Sequence, residues 1–194
     1  MARPRQFDRD AALKAAMEVF WAKGFNGASA EDLTRAMGIG RQSLYDTFGD
    51  KKRLYLEALS RYSTDQLSQH AKTLNGPGRP AENLKALLVA FADQCEEQRR
   101  LGCFGLNAIC EFGQDDPEVQ QVSATQGRVQ DAAFRRLVEA GQAVGDFDGR
   151  IDVGATARLL AVTLAGMKIQ ARAGATAPDL REVAELVIDR LKPS

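Results

Sequence analysis

The sequence has one histidine, one tryptophan, three cysteines and six prolines in 194 residues, and its 26 basic side chains are balanced by 26 acidic ones. Each scarcity excludes something. His70 is the single candidate general base, and it sits in a polar stretch remote in sequence from every cysteine. A thiol enzyme is therefore not expected, and His70 reads as a solvated surface residue. Cys95, Cys103 and Cys110 are odd in number and do not make a disulfide framework. No Cys/His or carboxylate set falls at metal-ligand spacing, and no glycine-rich phosphate loop joins a strand to a helix. No cofactor is expected. No apolar run approaches the roughly eighteen residues that a membrane span needs. The N-terminal Met-Ala-Arg-Pro-Arg is basic without a hydrophobic region behind it, so no secretory signal is read there and a cytoplasmic protein is expected. Repeats, low-complexity tracts and strand-like alternation are absent as well.

Helical periodicity is what remains, and it covers nearly everything. Leu13, Ala16, Met17 and Phe20 recur at three- and four-residue spacing and predict a first helix over about 9–23, ended by Gly24. Asp50 can cap a long helix from Lys51, with Leu54, Ala58 and Tyr62 on one stripe. The segment 75–80, Asn-Gly-Pro-Gly-Arg-Pro, is the clearest loop. Further helices are expected over about 81–98, 103–112, 117–142, 152–173 and 178–191, the third of them opened by Pro117 behind Asp115 and Asp116. The fold class is all-α.

Ser29 to Lys51 carries the most information. Ser29 precedes Asp32 by three residues, a near capping box for a short helix whose apolar face is Leu33, Ala36 and Met37. Gly38 can end that helix in the left-handed conformation. A second short helix over 41–48 buries Leu44 and Phe48 and turns Arg41, Gln42, Ser43, Tyr45 and Thr47 outward. Two steeply crossed short helices, the second lined with hydrogen-bonding side chains, form a helix-turn-helix that enters a DNA major groove. Net charge is zero, but residues 1–53 hold ten Lys/Arg against seven Asp/Glu. The small positive surplus thus falls on the segment that would meet DNA.

Gly24-Phe25, Ala28-Ser29, Glu31-Asp32-Leu33, Met37-Gly38-Ile39, Ser43-Leu44-Tyr45 and Phe48-x-x-Lys51-x-x-Leu54 resemble, at matching spacing, the DNA-binding domain of the TetR family of bacterial transcriptional regulators. The resemblance covers about residues 8–55. It implies a homodimeric regulator, most often a repressor, with an N-terminal three-helix DNA-binding domain (1–53) joined by a long helix to a C-terminal helical domain (54–194) for effector binding and dimerisation. Carried over by position, Ser29 would meet a phosphate, Arg41, Gln42 and Ser43 would read base edges, Tyr45 and Thr47 would touch backbone or a thymine methyl, and Lys51 would pair with a phosphate. The chemistry agrees: arginine can donate to both guanine acceptors and glutamine matches adenine. Gly40 departs from the family, which commonly has serine there; the exchange costs a helix cap only a few tenths of a kcal/mol. Arg3 and Arg5 read either as an arm along the duplex or as a free basic terminus.

In the C-terminal part, Leu180, Val183, Ala184, Val187, Ile188 and Leu191 form one apolar stripe, while the helix around Leu159 to Ile169 is apolar over most of its circumference. Such a helix needs cover on more than one face. Intramolecular packing is one reading; a two-helix dimer surface over residues 152–191, forming a four-helix bundle with a second copy, is the other. The segment around Cys103 resembles a subset of TetR-type regulators with Gly-Cys at the head of a helix, some of which respond to electrophiles or oxidants. Cys103 then reads either as a reactive thiol favoured by the helix N-terminus or as a small packing residue. Phe91, Cys95, Cys103, Phe104, Asn107, Cys110, Glu111, Phe134 and Met167 are the candidates for the pocket of an unknown small-molecule effector. The expected partners are operator DNA, that effector and a second copy, with no membrane. A helix-turn-helix serving only protein contacts is the remote alternative, disfavoured because its outward face carries no apolar anchors.

Overall fold

The computed structural model describes residues 7–193, so Arg3 and Arg5 lie outside the described residues. It contains ten helices and no strand among those residues: α1 (Arg9–Gly27), α2 (Ala30–Met37), α3 (Arg41–Phe48), α4 (Lys51–Leu74), α5 (Pro80–Ala92), α6 (Glu96–Leu101), α7 (Phe104–Phe112), α8 (Pro117–Ala143), α9 (Val153–Arg172) and α10 (Ala177–Leu191). Local chemistry sets most of the boundaries. Asp8 caps α1 by accepting from the amides of Asp10 and Ala11. Gly24 adopts φ 72°, a left-handed conformation that interrupts the helix where the periodicity ends, before a last turn to Gly27. Asp50 Oδ1 accepts from Arg53 N at 2.8 Å, and Asp116 Oδ1 from Val119 N at 3.0 Å, opening α4 and α8.

The expected helix over 81–98 is broken in two. The break coincides with a side-chain contact that hydrophobic spacing does not encode: the Arg99 guanidinium donates to the carbonyl of Ala92 at 3.0 Å and to that of Gln94. These carbonyls are thereby satisfied outside a helical ladder, and the chain restarts at Cys95, the N-cap of α6.

The chain divides into two compact units that differ from a cut at residue 53. The first runs to Ser63 and takes in Phe104–Ser123; the second holds Thr64–Cys103 and Ala124–Ser194. Sequence spacing assigns α7 to the C-terminal domain, yet its side chains complete the core of the first unit. Tyr55, fully buried, has Phe20, Phe25, Phe104 and Phe112 around it at ring-centroid distances of 5.1, 5.3, 5.3 and 5.3 Å. Burial, with Glu111 and Asp116 nearby, pushes the Tyr55 hydroxyl pKa up. The second unit is built on Leu84, Leu88, Phe91, Phe134, Phe147, Leu160, Leu164, Ala184 and Ile188, all buried. Its first loop is closed by Asn83, whose amide donates to the carbonyls of Leu74, Gly76 and Gly78.

His70 corrects the expectation of a solvated surface residue. It is half-buried, and its Nδ1 is closed off without a hydrogen-bond partner. Burial, and secondarily the charge of Lys168, pushes its pKa down from 6.5 to about 4. The unfolded chain therefore takes up a proton near pH 6.5 that the folded chain refuses until about pH 4. Stability is complete above that window and falls through it as pH drops, by up to about 3 kcal/mol. Denaturant midpoints measured from pH 7.5 to 4.5 should decline in the wild type and flatten in His70→Gln. Parallel curves would show that His70 titrates alike in both states.

Candidate nucleic-acid interface

The helix-turn-helix is held by contacts that leave one face of α3 uncommitted. Ser29 Oγ accepts from Asp32 N at 3.0 Å, and Asp32 Oδ2 accepts from Ser29 N at 3.1 Å, a complete capping box. The Ser29 hydroxyl also donates to Asp32 Oδ2 at 2.8 Å, so its proton is in use. Lys23, 2.7 Å from Asp32 Oδ1, holds that carboxyl well below the usual range. Gly38 closes α2 at φ 66°, donating to the carbonyls of Arg35 and Thr34. A β-carbon is disfavoured there, so the turn angle between α2 and α3 depends on this glycine.

Leu44 and Phe48 anchor α3 in the core of the first unit. On the opposite side Arg41, Gln42 and Tyr45 are exposed, Tyr45 by 47%, while Ser43 and Thr47 are half-buried. Gln42 Nε2 donates to Asp46 Oδ1 at 2.8 Å, one turn on, which orients the amide along the helix. Gly40 starts α3 in extended backbone and supplies no side-chain cap. The first amides of the helix are left facing outward, an arrangement suited to a phosphate. Lys51 lies with its ammonium 4.5 Å above the Phe25 ring. Its charge therefore sits beside the last turn of α1, packed against an aromatic face.

Spacing alone missed the brace behind this surface. Glu111 Oε2 and Oε1 accept from the amides of Phe25 and Asn26, both at 2.8 Å, directly after Gly24. A β-carbon on residue 24 would come within 2.9 Å of Glu111 Oε2. Lys52 pairs with Asp116 and lies 4.0 Å above the ring of Phe112. Glu111, Phe112 and Asp116, from α7 and the residue before α8, thus fix the last turn of α1, which leads into α2. The available signal was Glu111 itself, the one charged residue of α7.

The effector candidates are divided between the two units. Phe104 and Glu111 are used within the first unit, as core and as brace. Asn107 and Cys110 lie on the same helix, Cys110 exposed. Phe91, Phe134 and Met167 belong to the core of the second unit. Cys103 is 5% exposed, Cys95 is exposed, and all three thiols are free. A groove of about 410 Å³ instead runs between α9 and α10, lined by Thr163, Gly166, Met167, Leu180, Val183 and Val187 among others. Among the described residues no cluster of His, Cys, Asp and Glu could hold a metal ion, and no helix is long and apolar enough to cross a membrane.

Comparison with known proteins fits this arrangement. Residues 12–58 match the family described as bacterial regulatory proteins, tetR family, and residues 80–186 match the tetracyclin repressor-like C-terminal domain. The chain belongs to the TetR family. The repressor ComR of Escherichia coli is 30% identical over 94% of this chain and 88% of its own. YezE of Bacillus subtilis, an uncharacterized HTH-type transcriptional regulator, is 32% identical over 82% and 84%. Among solved structures, a cysteine variant of the TetR family regulator CifR, complexed with a 26-base-pair operator, superposes at TM-score 0.81 with 31% identity over 99% of this chain and 100% of that one. Reduced NemR of E. coli reaches TM-score 0.83 at 16% identity over 95% and 97%, a likeness of fold alone. This TetR-type chain is a DNA-binding transcriptional regulator and not an enzyme.

Proposed function

We propose that the protein is a cytoplasmic, homodimeric repressor whose two α3 helices read a roughly palindromic operator and let go when an effector binds the second unit. The observation that carries the reading is the outward face of α3: Arg41, Gln42 and Tyr45 exposed on a helix anchored from behind by Leu44 and Phe48. Arg41 supplies two parallel donors for guanine and Gln42 a donor–acceptor pair for adenine. Ser43 reads a base edge, Tyr45 and Thr47 contact the backbone or a thymine methyl, Lys51 pairs with a phosphate, and Ser29 donates its hydroxyl proton to a phosphate by turning it away from Asp32. The open N-terminus of α3 adds amides for a phosphate. An effector releases the operator only by binding unequally to the two states of the dimer.

Binding of operator DNA taken from beside the protein's own gene, measured against salt, tests this. Affinity should fall steeply with salt, whereas a helix-turn-helix used for protein contact would give no such slope. Arg41→Ala should cost about 1–3 kcal/mol and relax preference at one base pair. An equal loss on every sequence would assign Arg41 to phosphate alone.

Dimerisation rests on α9, which is apolar on two sides. Leu160, Leu164, Met167 and Ala171 are buried in the unit's core, while Leu159, Val162 and Ile169 are exposed. Val183 and Leu186 of α10 are exposed too, and Val183 lines the same groove as Thr163 and Gly166. So large an apolar face marks an interaction surface, and the symmetric solution is a second copy of α9 and α10.

A thiol-gated version is the second reading. It is favoured by the DNA-bound CifR variant, in which three cysteines are replaced. Here the exposed Cys95 and Cys110, rather than the buried Cys103, are the thiols open to an oxidant. Diamide should release the operator and dithiothreitol restore it; operator binding indifferent to diamide leaves the non-covalent effector alone.

A further inference from the structure

The helix α3 is only eight residues long. A helix of two turns keeps its place through tertiary packing and not through its own hydrogen bonds. Its buried side chains are Leu44 and Phe48, four residues apart and so on one line along it. A helix pinned along a single line can still roll about that line, and a roll swings Arg41, Gln42 and Tyr45 off the base edges. One side chain from another helix closes this freedom. The Arg9 guanidinium lies over the Phe48 ring, its Cζ 4.7 Å from the centroid. The same guanidinium donates to both carboxylate oxygens of Glu57, Nη1 to Oε1 at 2.6 Å and Nη2 to Oε2 at 2.8 Å. Arg9 is the first residue of α1 and Glu57 stands in the second turn of α4, so a single residue joins α1, α3 and α4 within the first unit.

We propose that Arg9 is a positioning residue for operator binding: gripped by Glu57, it covers Phe48, stops α3 from rolling, and sets affinity without touching DNA. The fork holds the guanidinium plane in one orientation, and a cation is drawn to the face of a ring. Other polar contacts of the helix-turn-helix do not do this. Lys23 with Asp32 and Arg35 with Glu31 serve α2, and the bond from Gln42 to Asp46 stays inside α3. Nor does α1 need Arg9 in order to start, since Asp8 already accepts from the amides of Asp10 and Ala11. The proposal rests on α3 being the helix that reads DNA, and names what holds it in the reading orientation.

Full-length variants are titrated, over a range of salt, with the DNA fragment upstream of the protein's own gene, and circular dichroism verifies their helices. Arg9→Gln and Glu57→Gln should each weaken binding by about tenfold, as two copies of α3 each lose the modest worth of one charge pair. Glu57→Gln separates position from charge. Removing an acid from a DNA-binding unit tightens binding if net charge alone matters, so a loss reports the position of α3. Arg9→Lys keeps the charge without the fork and should lose nearly as much. The double variant should lose no more than either single one, because the two residues act as a unit. The salt slope should match that of the wild type throughout, since no phosphate contact is removed. Glu57→Gln binding as well as the wild type or better would overturn the proposal. So would a loss in Arg9→Gln that comes with a shallower salt slope and is restored in Arg9→Lys, which would make Arg9 a phosphate contact. If Arg9→Gln does not fold, Glu57→Gln and Arg9→Lys decide. Arg41→Ala is measured in parallel: wild-type binding there would remove the reading of α3, whereas a loss there with wild-type binding in both Arg9 and Glu57 variants removes the positioning role alone.

Discussion

Val162→Arg is expected to convert a dimer into a monomer and to weaken operator binding by about 10²–10⁴-fold, the gain that joining two binding modules confers. Val162 is 69% exposed, on the side of α9 turned away from the core, so arginine costs the folded monomer little. In a symmetric interface the same substitution appears twice, placing two like charges on an apolar surface that must lose its water. Each half-site is then gripped by one α3 only. Light scattering after size exclusion and operator titration read the two consequences separately, and circular dichroism verifies that the helices persist. A dimeric Val162→Arg with undiminished affinity would move the dimer contact elsewhere.

Gly141→Ala should destabilise the second unit by about 2–4 kcal/mol, the cost of displacing or overpacking a buried aromatic ring. Helix propensity alone predicts the opposite, a gain of about 1 kcal/mol from replacing glycine inside a helix. Geometry decides between them. A β-carbon on residue 141 would overlap Cδ2 and Cε2 of Phe147 and lie 2.9 Å from its Cγ. Phe147 is 1% exposed and part of the core, and the Gly141 carbonyl accepts from the amides of Asp146 and Phe147. The ring cannot swing into solvent without vacating its pocket, and those hydrogen bonds hold the turn that carries it. Thermal or urea denaturation supplies the test; a variant as stable as wild type would mean that the ring has somewhere to go.

The two variants fall on opposite sides of a line between what the residues state for themselves and what their neighbours decide. Ser29 with Asp32, Gly38, and the apolar pair Leu44 and Phe48 were legible because caps, turns and helix faces are interactions over three or four residues. The helix-turn-helix follows from them, and with it the family. The double apolar character of α9 was equally legible, since periodicity counts faces without knowing what covers them.

The Arg99 contacts at the break between α5 and α6, the service of Glu111 as a brace for the last turn of α1 at Phe25, and the ring against Gly141 were not. Each depends on where side chains come to rest and not on hydrophobic period, and nothing in the local pattern distinguishes a glutamate that accepts two distant amides from one that faces water. His70 makes the point most sharply. Its polar sequence neighbours on α4 describe a solvated histidine, yet the packing of the second unit closes off Nδ1 and sets it near Lys168. By itself the sequence determined most of the helices, the turn and the residues left outward on α3, because backbone preference and hydrophobic period act locally. The tertiary structure alone decided which polar groups lose their water and which partners they keep, because desolvation depends on every chain segment that happens to be near.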